Sequence, residues 1–465
     1  MWFVKIKILW FIAFCCAVQH ISAKTHHVDS TTGFNQLVAQ AVIQPGDEII
    51  WKDGIYSNID LDLKGFNGTP NQPVKLRSET PGGVVFTGAS RLNIGTDHTV
   101  ISGFHYRVTS NEQTPKQIIS FRSRGNIAAS NSRLTEIKIE EAEPGKPILQ
   151  KSKWVVLYGQ FNRVDHCYFV NKRTRDNLMT VYLDESNMPN GAWHRIDHNY
   201  FGPRPNGRAA GGSSNGWEII RIGDSRSSHL SAFCRVEKNL FEGCNGEIEI
   251  ISNKSRDNSY IANTFLNCEG QLTLRHGAYC VVAGNLFQGN GHAKNEESGV
   301  RIIGPGHKVV GNTFIGLSGQ GERGAIVISD GVENGAANEY EPVANLEIRS
   351  NTIIACRNPI VIGSFSGKVH PSGRVINVAP QSVLISDNYI VGGNPIVTFL
   401  SQSKPDVTFE NNIAYLTGQD SQKIAGSKVQ FSPKEILWQN GAATTTNSGK
   451  SLSTGITRDN VGPSW

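Results

Sequence analysis

The chain has 465 residues, enough for two or three ordinary domains or one long repetitive one. Charged residues make up 18%, below the roughly 25% usual in soluble domains, while glycine reaches 48 residues. This balance argues against a helical bundle or coiled coil and suits an all-β chain with many turns. The net charge of +5 is too small to imply a nucleic-acid partner.

Residues 1–23 read as a secretory signal. Lys5 and Lys7 form a positive start, residues 8–18 an apolar run, and Ile21-Ser22-Ala23 a small-residue cleavage site. The run is shorter than the ~20 residues that a membrane helix needs. Losing Lys5 and Lys7 lowers the charge from +5 to +3. No later stretch is apolar enough to span, so the mature chain is expected to be exported, periplasmic or secreted, and free of the membrane. Residues 34–43 follow as a short amphipathic helix, and residues 45–56 as a strand pair with Gly and Asp turns.

A repeat then runs through the chain. Alternating apolar residues precede Asn, any residue, and Phe or Ile, as in RIDHNYF (195–201), RVEKNLF (235–241), YIANTFL (260–266) and KVVGNTF (308–314). The recurring residues are Asn199, Asn239, Asn263, Asn285, Asn312, Asn351, Asn388 and either Asn411 or Asn412, with Cys167 in the same slot of RVDHCYF. Spacings of 24, 22 and 27 residues separate Asn239, Asn263, Asn285 and Asn312. Such a period, with short strands and no Leu ladder, predicts a solenoid of the parallel β-helix kind, its Asn amides stacked in one column. The helix at 34–43 would cap the open strand edges at one end. Cys244 and Cys268 fall on adjacent turns. Cys234 and Cys280 have a turn between them with Asn258 in the same slot, and buried free thiols are expected throughout. From about residue 419 the chain is polar apart from Ile436-Leu437-Trp438 and reads as a cap and surface tail. Residues 24–465 are expected to form one domain.

Aligning turns on their Asn pairs Glu247-Ile248-Glu249-Ile250 with Gln271-Leu272-Thr273-Leu274. Alternation then sends Ile248, Ile250, Leu272 and Leu274 inward and Glu247, Glu249, Thr273 and Arg275 outward. One outward face collects Asn215, Glu218, Arg221, Glu247, Glu249, Lys254, Arg275, His276 and Arg301. A mixed-charge solvated face is the plain reading. Against it, the acids sit on adjacent turns, where like charges repel unless a cation lies between them. Asn215, Glu218, Glu247 and Glu249 give an all-oxygen set suited to Ca²⁺ before Mg²⁺, and not to zinc. Lys254 and Arg275 suit β-elimination of a uronate polymer: a base takes the C5 proton, a cation neutralises the adjacent carboxylate, and the C4 oxygen leaves with a proton. A lysine serves as such a base where neighbouring positive charge, here Ca²⁺ and Arg275, favours its neutral form.

NGWEIIRIG (215–223), EIEIISNKS (247–255), LRHG (274–277) and VRIIG (300–304) together resemble the pattern of polysaccharide lyase family 6, which contains alginate lyases and chondroitinase B. The resemblance runs from PGDEI near the start to the closing VGPSW. It implies a right-handed parallel β-helix. Carried over, Asn215, Glu218, Glu247 and Glu249 match calcium ligands, Lys254 the base and Arg275 the acid. His276 and Arg301 match substrate contacts, and Arg221 joins them on the same face. The implied partner is an anionic polysaccharide. Alginate is preferred to dermatan sulfate, because most of the family resembles alginate lyases and no large basic cluster for sulfates is visible. Rival readings are a pectate lyase, a hydrolase using Glu247 and Glu249 about 6.8 Å apart, and a non-catalytic carbohydrate-binding β-helix.

Overall fold

In each copy of the repeat, the residue before the key Asn takes a left-handed backbone conformation. His198, Lys238, Ala262, Ser350, Asp387 and Asn411 have φ between 51° and 56°, and Gly284 and Gly311 fill the same slot. This bend aims the following Asn along the solenoid axis. The Asn239 amide donates to Asn263 Oδ1 at 3.0 Å, Asn263 to Asn285 at 3.0 Å, and Asn285 to Asn312 at 2.9 Å. The column begins at Asn199, whose Oδ1 accepts from the Cys167 backbone, and ends at Asn412, not Asn411. Two residues on, Phe169, Phe201, Phe241, Phe265, Phe287 and Phe314 stack through the core, with centroids 4.5–5.3 Å apart.

The computed structural model describes residues 23–291, 296–393, 395–416, 428–431, 436–439, 442–445 and 455–465. Residues 1–22 of the expected 1–23 signal and much of the tail lie outside them. The strands form three long parallel sheets of 14, 12 and 14 strands, each turn of chain giving one strand to each sheet. This is a right-handed parallel β-helix, spanning strands Thr25–Val28 to Ile413–Leu416. The capping helix is Thr31–Ala39, earlier than the expected 34–43. Ser30 starts it by accepting the Gly33 N–H, and Ala41 ends it by turning left-handed at φ 52°. Phe34 is fully buried against Trp51.

A second bend carries its own acceptor column. Ser132 Oγ, Asn162 Oδ1, His194 Nδ1, Asn258 Oδ1 and His307 Nδ1 each take the backbone N–H of a residue on the preceding turn. Among them, Asn258 accepts from Cys234, which puts a turn between Cys234 and Cys280. All six cysteines from Cys167 onward are free and buried, with Cys244 beside Cys268.

The expected strand alignment needs correction. Glu249 pairs with Gln271 and Ile251 with Leu272, across a bulge that leaves both Ile250 and Ile251 in the core. Ile248 is therefore not an inward residue and sits at the rim of the outward cleft. A second bulge leaves Arg275 unpaired, so that Lys254 aligns with His276. Residues 455–465 lie back over the barrel: Ile456 bonds Thr264, Gly462 bonds His198 and Ser464 bonds Glu136.

Candidate active site

The 12-stranded sheet carries the site on its outer face. One row across it reads Thr180, Arg221, Ser252, Thr273 and Arg301, and the next reads Gly223, Lys254 and His276. Below Lys254, Asn253 points into the barrel, where its Oδ1 accepts from Tyr260 and Asn258. That buried anchor fixes the strand end that presents Lys254. The chain then leaves the sheet at Gly277, with φ 85°; a Cβ there would lie 2.2 Å from the Ser255 carbonyl oxygen. No residue with a side chain fits this bend.

A cleft of about 460 Å³ lies over these rows, lined among others by Asn215, Glu247, Glu249, Lys254, Arg275, Arg301, Tyr340 and Phe365. Glu218 is buried beside it, its carboxylate held by the Asn177 amide. Glu247 accepts the Gly216 and Trp217 N–H groups at 3.0 and 2.7 Å. Burial, with Glu218 and Glu249 close by, nevertheless pushes the Glu247 carboxyl up to about 10. Burial acts on Glu249 in the same sense, but Arg301, Arg275 and Lys254 outweigh it and hold its carboxyl below the ordinary value. Its direct partner is Arg301, at 2.5 Å.

Among the described residues, no three His, Cys, Asp or Glu side chains converge as around a metal ion. Glu249 turns to Arg301 and Glu218 to Asn177. The donor chemistry still fits a hard cation. Glu218 and Glu247 are neighbouring carboxyls, burial and then the nearby Glu218 and Glu249 disfavour the Glu247 carboxylate, and the exposed Asn215 amide stands on the same rim. A positive ion beside these carboxyls would favour their charged form.

Arg275 is largely buried, and burial lowers its guanidinium from the ordinary value. Its flat face lies 4.2 Å from the Tyr340 ring centroid, and Arg301 lies 5.6 Å from that of Phe365. His276 is buried, with Nε2 at 3.3 Å from Ser225 Oγ. Burial, then Arg275 and Lys254, depress it to about 2, so it is a neutral imidazole. It lines the neighbouring cavity and not the cleft. Arg221 shares the outer face but lies over Tyr182 at 5.8 Å, away from the cleft lining. Sequence reasoning thus put Lys254, Arg275, Glu247, Glu249, Arg301 and Asn215 in one cleft, while Arg221 and His276 lie outside its lining. It missed Asn177, Tyr340 and Phe365. The last two come from loops between turns, where the repeat gives no signal.

The chondroitinase B family model matches residues 28–454. No curated protein matches the chain in sequence. Among solved structures, the PL6 family alginate lyase AlyGC superposes with a TM-score of 0.83 at 32% identity; the match covers 95% of this chain and 58% of that one. This chain therefore spans little more than half of AlyGC. A mannuronic-acid-specific family 6 lyase from human gut microbiota matches at 0.72 and 29%, over 88% of this chain and 91% of its own. A PL6 alginate lyase solved with a trisaccharide matches at 0.74 and 22%, over 95% of both chains, which speaks to fold alone.

Proposed function

The chain belongs to polysaccharide lyase family 6, and we propose that it cleaves alginate by β-elimination in a Ca²⁺-dependent reaction, with Lys254 as base and Arg275 as acid. The observation that carries this reading is the meeting of Lys254 and Arg275 in one cleft, beside the neighbouring oxygen donors Asn215, Glu218, Glu247 and Glu249. The relatives near 30% identity are alginate lyases or act on mannuronic acid, which favours alginate.

Asn215, Glu218, Glu247 and Glu249 would hold the ion. Bound there, Ca²⁺ supplies positive charge against the substrate carboxylate and against the negative charge that develops at C5. The Lys254 amine, presented at a strand end, takes the C5 proton. Arg275, whose guanidinium burial weakens, donates toward the leaving C4 oxygen. The wall of Tyr340 and Phe365 excludes water from one side and keeps both guanidinium planes in position. Arg301 has two roles open to it: it orders Glu249, and it faces the cleft as a contact for a uronate carboxylate.

The deciding assay offers purified protein alginate, dermatan sulfate and pectate and follows ultraviolet absorbance, with and without chelator. A rise on alginate that chelator abolishes and Ca²⁺ restores is expected. A rise on dermatan sulfate alone would move the substrate to the chondroitinase B branch. Reducing ends without absorbance would mean hydrolysis.

A further inference from the structure

Behind the cleft, the barrel interior holds a polar pair that the repeat does not call for. Along one inward row of the 12-stranded sheet, successive turns give Val181, Ile222, Asn253, Leu274, Ile302 and Ile328. Along an inward row of the sheet that begins at Thr25–Val28, they give Val164, Ile196, Val236, Tyr260, Val282 and Val309. Asn253 and Tyr260 are the polar exceptions. Both belong to the turn that carries Lys254, both are fully buried, and they meet: the Tyr260 hydroxyl donates to Asn253 Oδ1 at 2.8 Å. Burying a hydroxyl and an amide costs desolvation that the aliphatic residues of the neighbouring turns do not incur. Core stability alone gives no reason for the pair.

Its bonds give one. Asn253 Oδ1 also accepts from Asn258 Nδ2 at 2.8 Å, which fixes the orientation of the amide. Its Nδ2 then donates to two carbonyls, those of Ser255 at 2.8 Å and His276 at 2.9 Å. Ser255 follows Lys254, and His276 follows Arg275. One buried amide thus joins the ends of the two strands that present the candidate base and acid. The junction falls where the strand ladder is interrupted: the bulge between Asn253 and Lys254 leaves Arg275 unpaired. A bulge re-aims side chains and loosens the pairing around it, and the Asn253 amide bridges the two strands from inside at that point. Burial pushes the Tyr260 phenol up, so its hydroxyl stays a donor to this amide. Neither side chain lines the cleft.

We propose that Asn253 and Tyr260 are positioning residues, an internal clamp that holds Lys254 and Arg275 at the mutual placement that proton transfer requires. This rests on the lyase reading above. It adds that part of the catalytic geometry is set inside the barrel, by side chains that never touch the polymer.

The test compares Tyr260→Phe, and Tyr260→Phe combined with Asn253→Leu, in the full chain with Ca²⁺. The single variant loses one oxygen and leaves Asn253 its bond to Asn258, so it should fold. The double variant gives the row the kind of residue that neighbouring turns carry, and exchanging both partners of a buried bond for apolar groups is close to neutral in stability. Rates on alginate are followed by ultraviolet absorbance well below the melting temperature, beside thermal midpoints. kcat should fall about tenfold in the single variant and about a hundredfold in the double, with KM within about twofold of wild type. Should the double variant not fold, the single one decides by the same split. A lowered thermal midpoint with unchanged kcat would mark a merely structural pair and overturn the clamp. A raised KM with unchanged kcat would overturn it too, because the effect would then lie in binding. A wild-type protein that forms no unsaturated product from any uronate polymer would overturn the lyase reading itself, and this inference with it.

Discussion

Lys254 and Glu247 pose opposite problems for the fold. Lys254 projects from a strand end whose anchoring is done by its neighbour Asn253, so the fold gains little from its ammonium group. Lys254→Ala should therefore abolish turnover, by about 10²–10⁴-fold, at unchanged thermal midpoint. Lys254→Arg should do nearly as much harm, because a guanidinium does not give up its proton near neutral pH. A Lys254→Ala protein with more than about a tenth of wild-type rate would remove the base assignment. Glu247 is costly to the fold. A carboxyl raised from 4.5 to about 10 contributes its full stability below pH 4.5 and loses it as pH climbs toward 10. In chelator, Glu247→Gln should then melt above wild type, by a margin that widens from about pH 5 to about pH 8. Ca²⁺ should stabilise wild type and leave the variant unmoved. Parallel melting curves at all pH values would show that the acid cluster is an ordinary solvated face. Glu249 is a poorer probe, since its removal also strands the buried Arg301. At this scale the sequence showed which residues share the cleft but not their register. Alternation cannot reveal the two bulges that put Ile250 and Ile251 both inside and leave Arg275 unpaired.

Strands of three residues are stable here because each bend is wired to the next. Asn263 shows how much one position carries. It accepts the Asn239 N–H and amide and donates to Asn285 and Val236. Asn263→Ala would leave several buried groups without partners and should cost about 3–5 kcal/mol in denaturant unfolding; a cost under about 1 kcal/mol would mean that water replaces the column. The second column adds a pH dependence. His307 accepts the Cys280 N–H through Nδ1 and sits near the Ile303 carbonyl through Nε2, and burial depresses it to about 4. A histidine with a lowered folded value keeps its stabilising effect above its ordinary 6.5 and loses it as pH falls toward 4. His307→Asn supplies the same acceptor, as Asn162 and Asn258 already do, and should flatten the fall in thermal midpoint over that window. An equally steep fall would place the acid sensitivity elsewhere, His194 being the next group to replace. The first column was legible because one residue type repeats at near-regular spacing. The second was not, because Ser132, Asn162, His194, Asn258 and His307 do one acceptor's work with three different kinds of side chain.

In a solenoid each turn touches only its neighbours, so distant turns are joined only through those between them. Residues 455–465 break that rule. They run over the 14-stranded sheet that carries the Phe column, tying the turn of Glu136 to those of His198 and Thr264. Val461 and Ile456 cover Val170, Tyr200 and Leu240, and the Arg458 guanidinium lies 3.4 Å from the Tyr200 ring centroid. The candidate cleft is on a different sheet. Removing residues 455–465 should thus uncover an apolar patch and lower stability by about 2–4 kcal/mol, while kcat at low temperature stays at the wild-type value. Val461→Asp should reproduce part of that loss within the full-length chain, by placing a charge where Tyr200 and Leu240 now meet an apolar side chain. Joint loss of kcat and stability would mean that the strap also shapes the cleft through the barrel. An unchanged denaturation midpoint would mean that the turns beneath it hold together by their Asn and Phe columns alone.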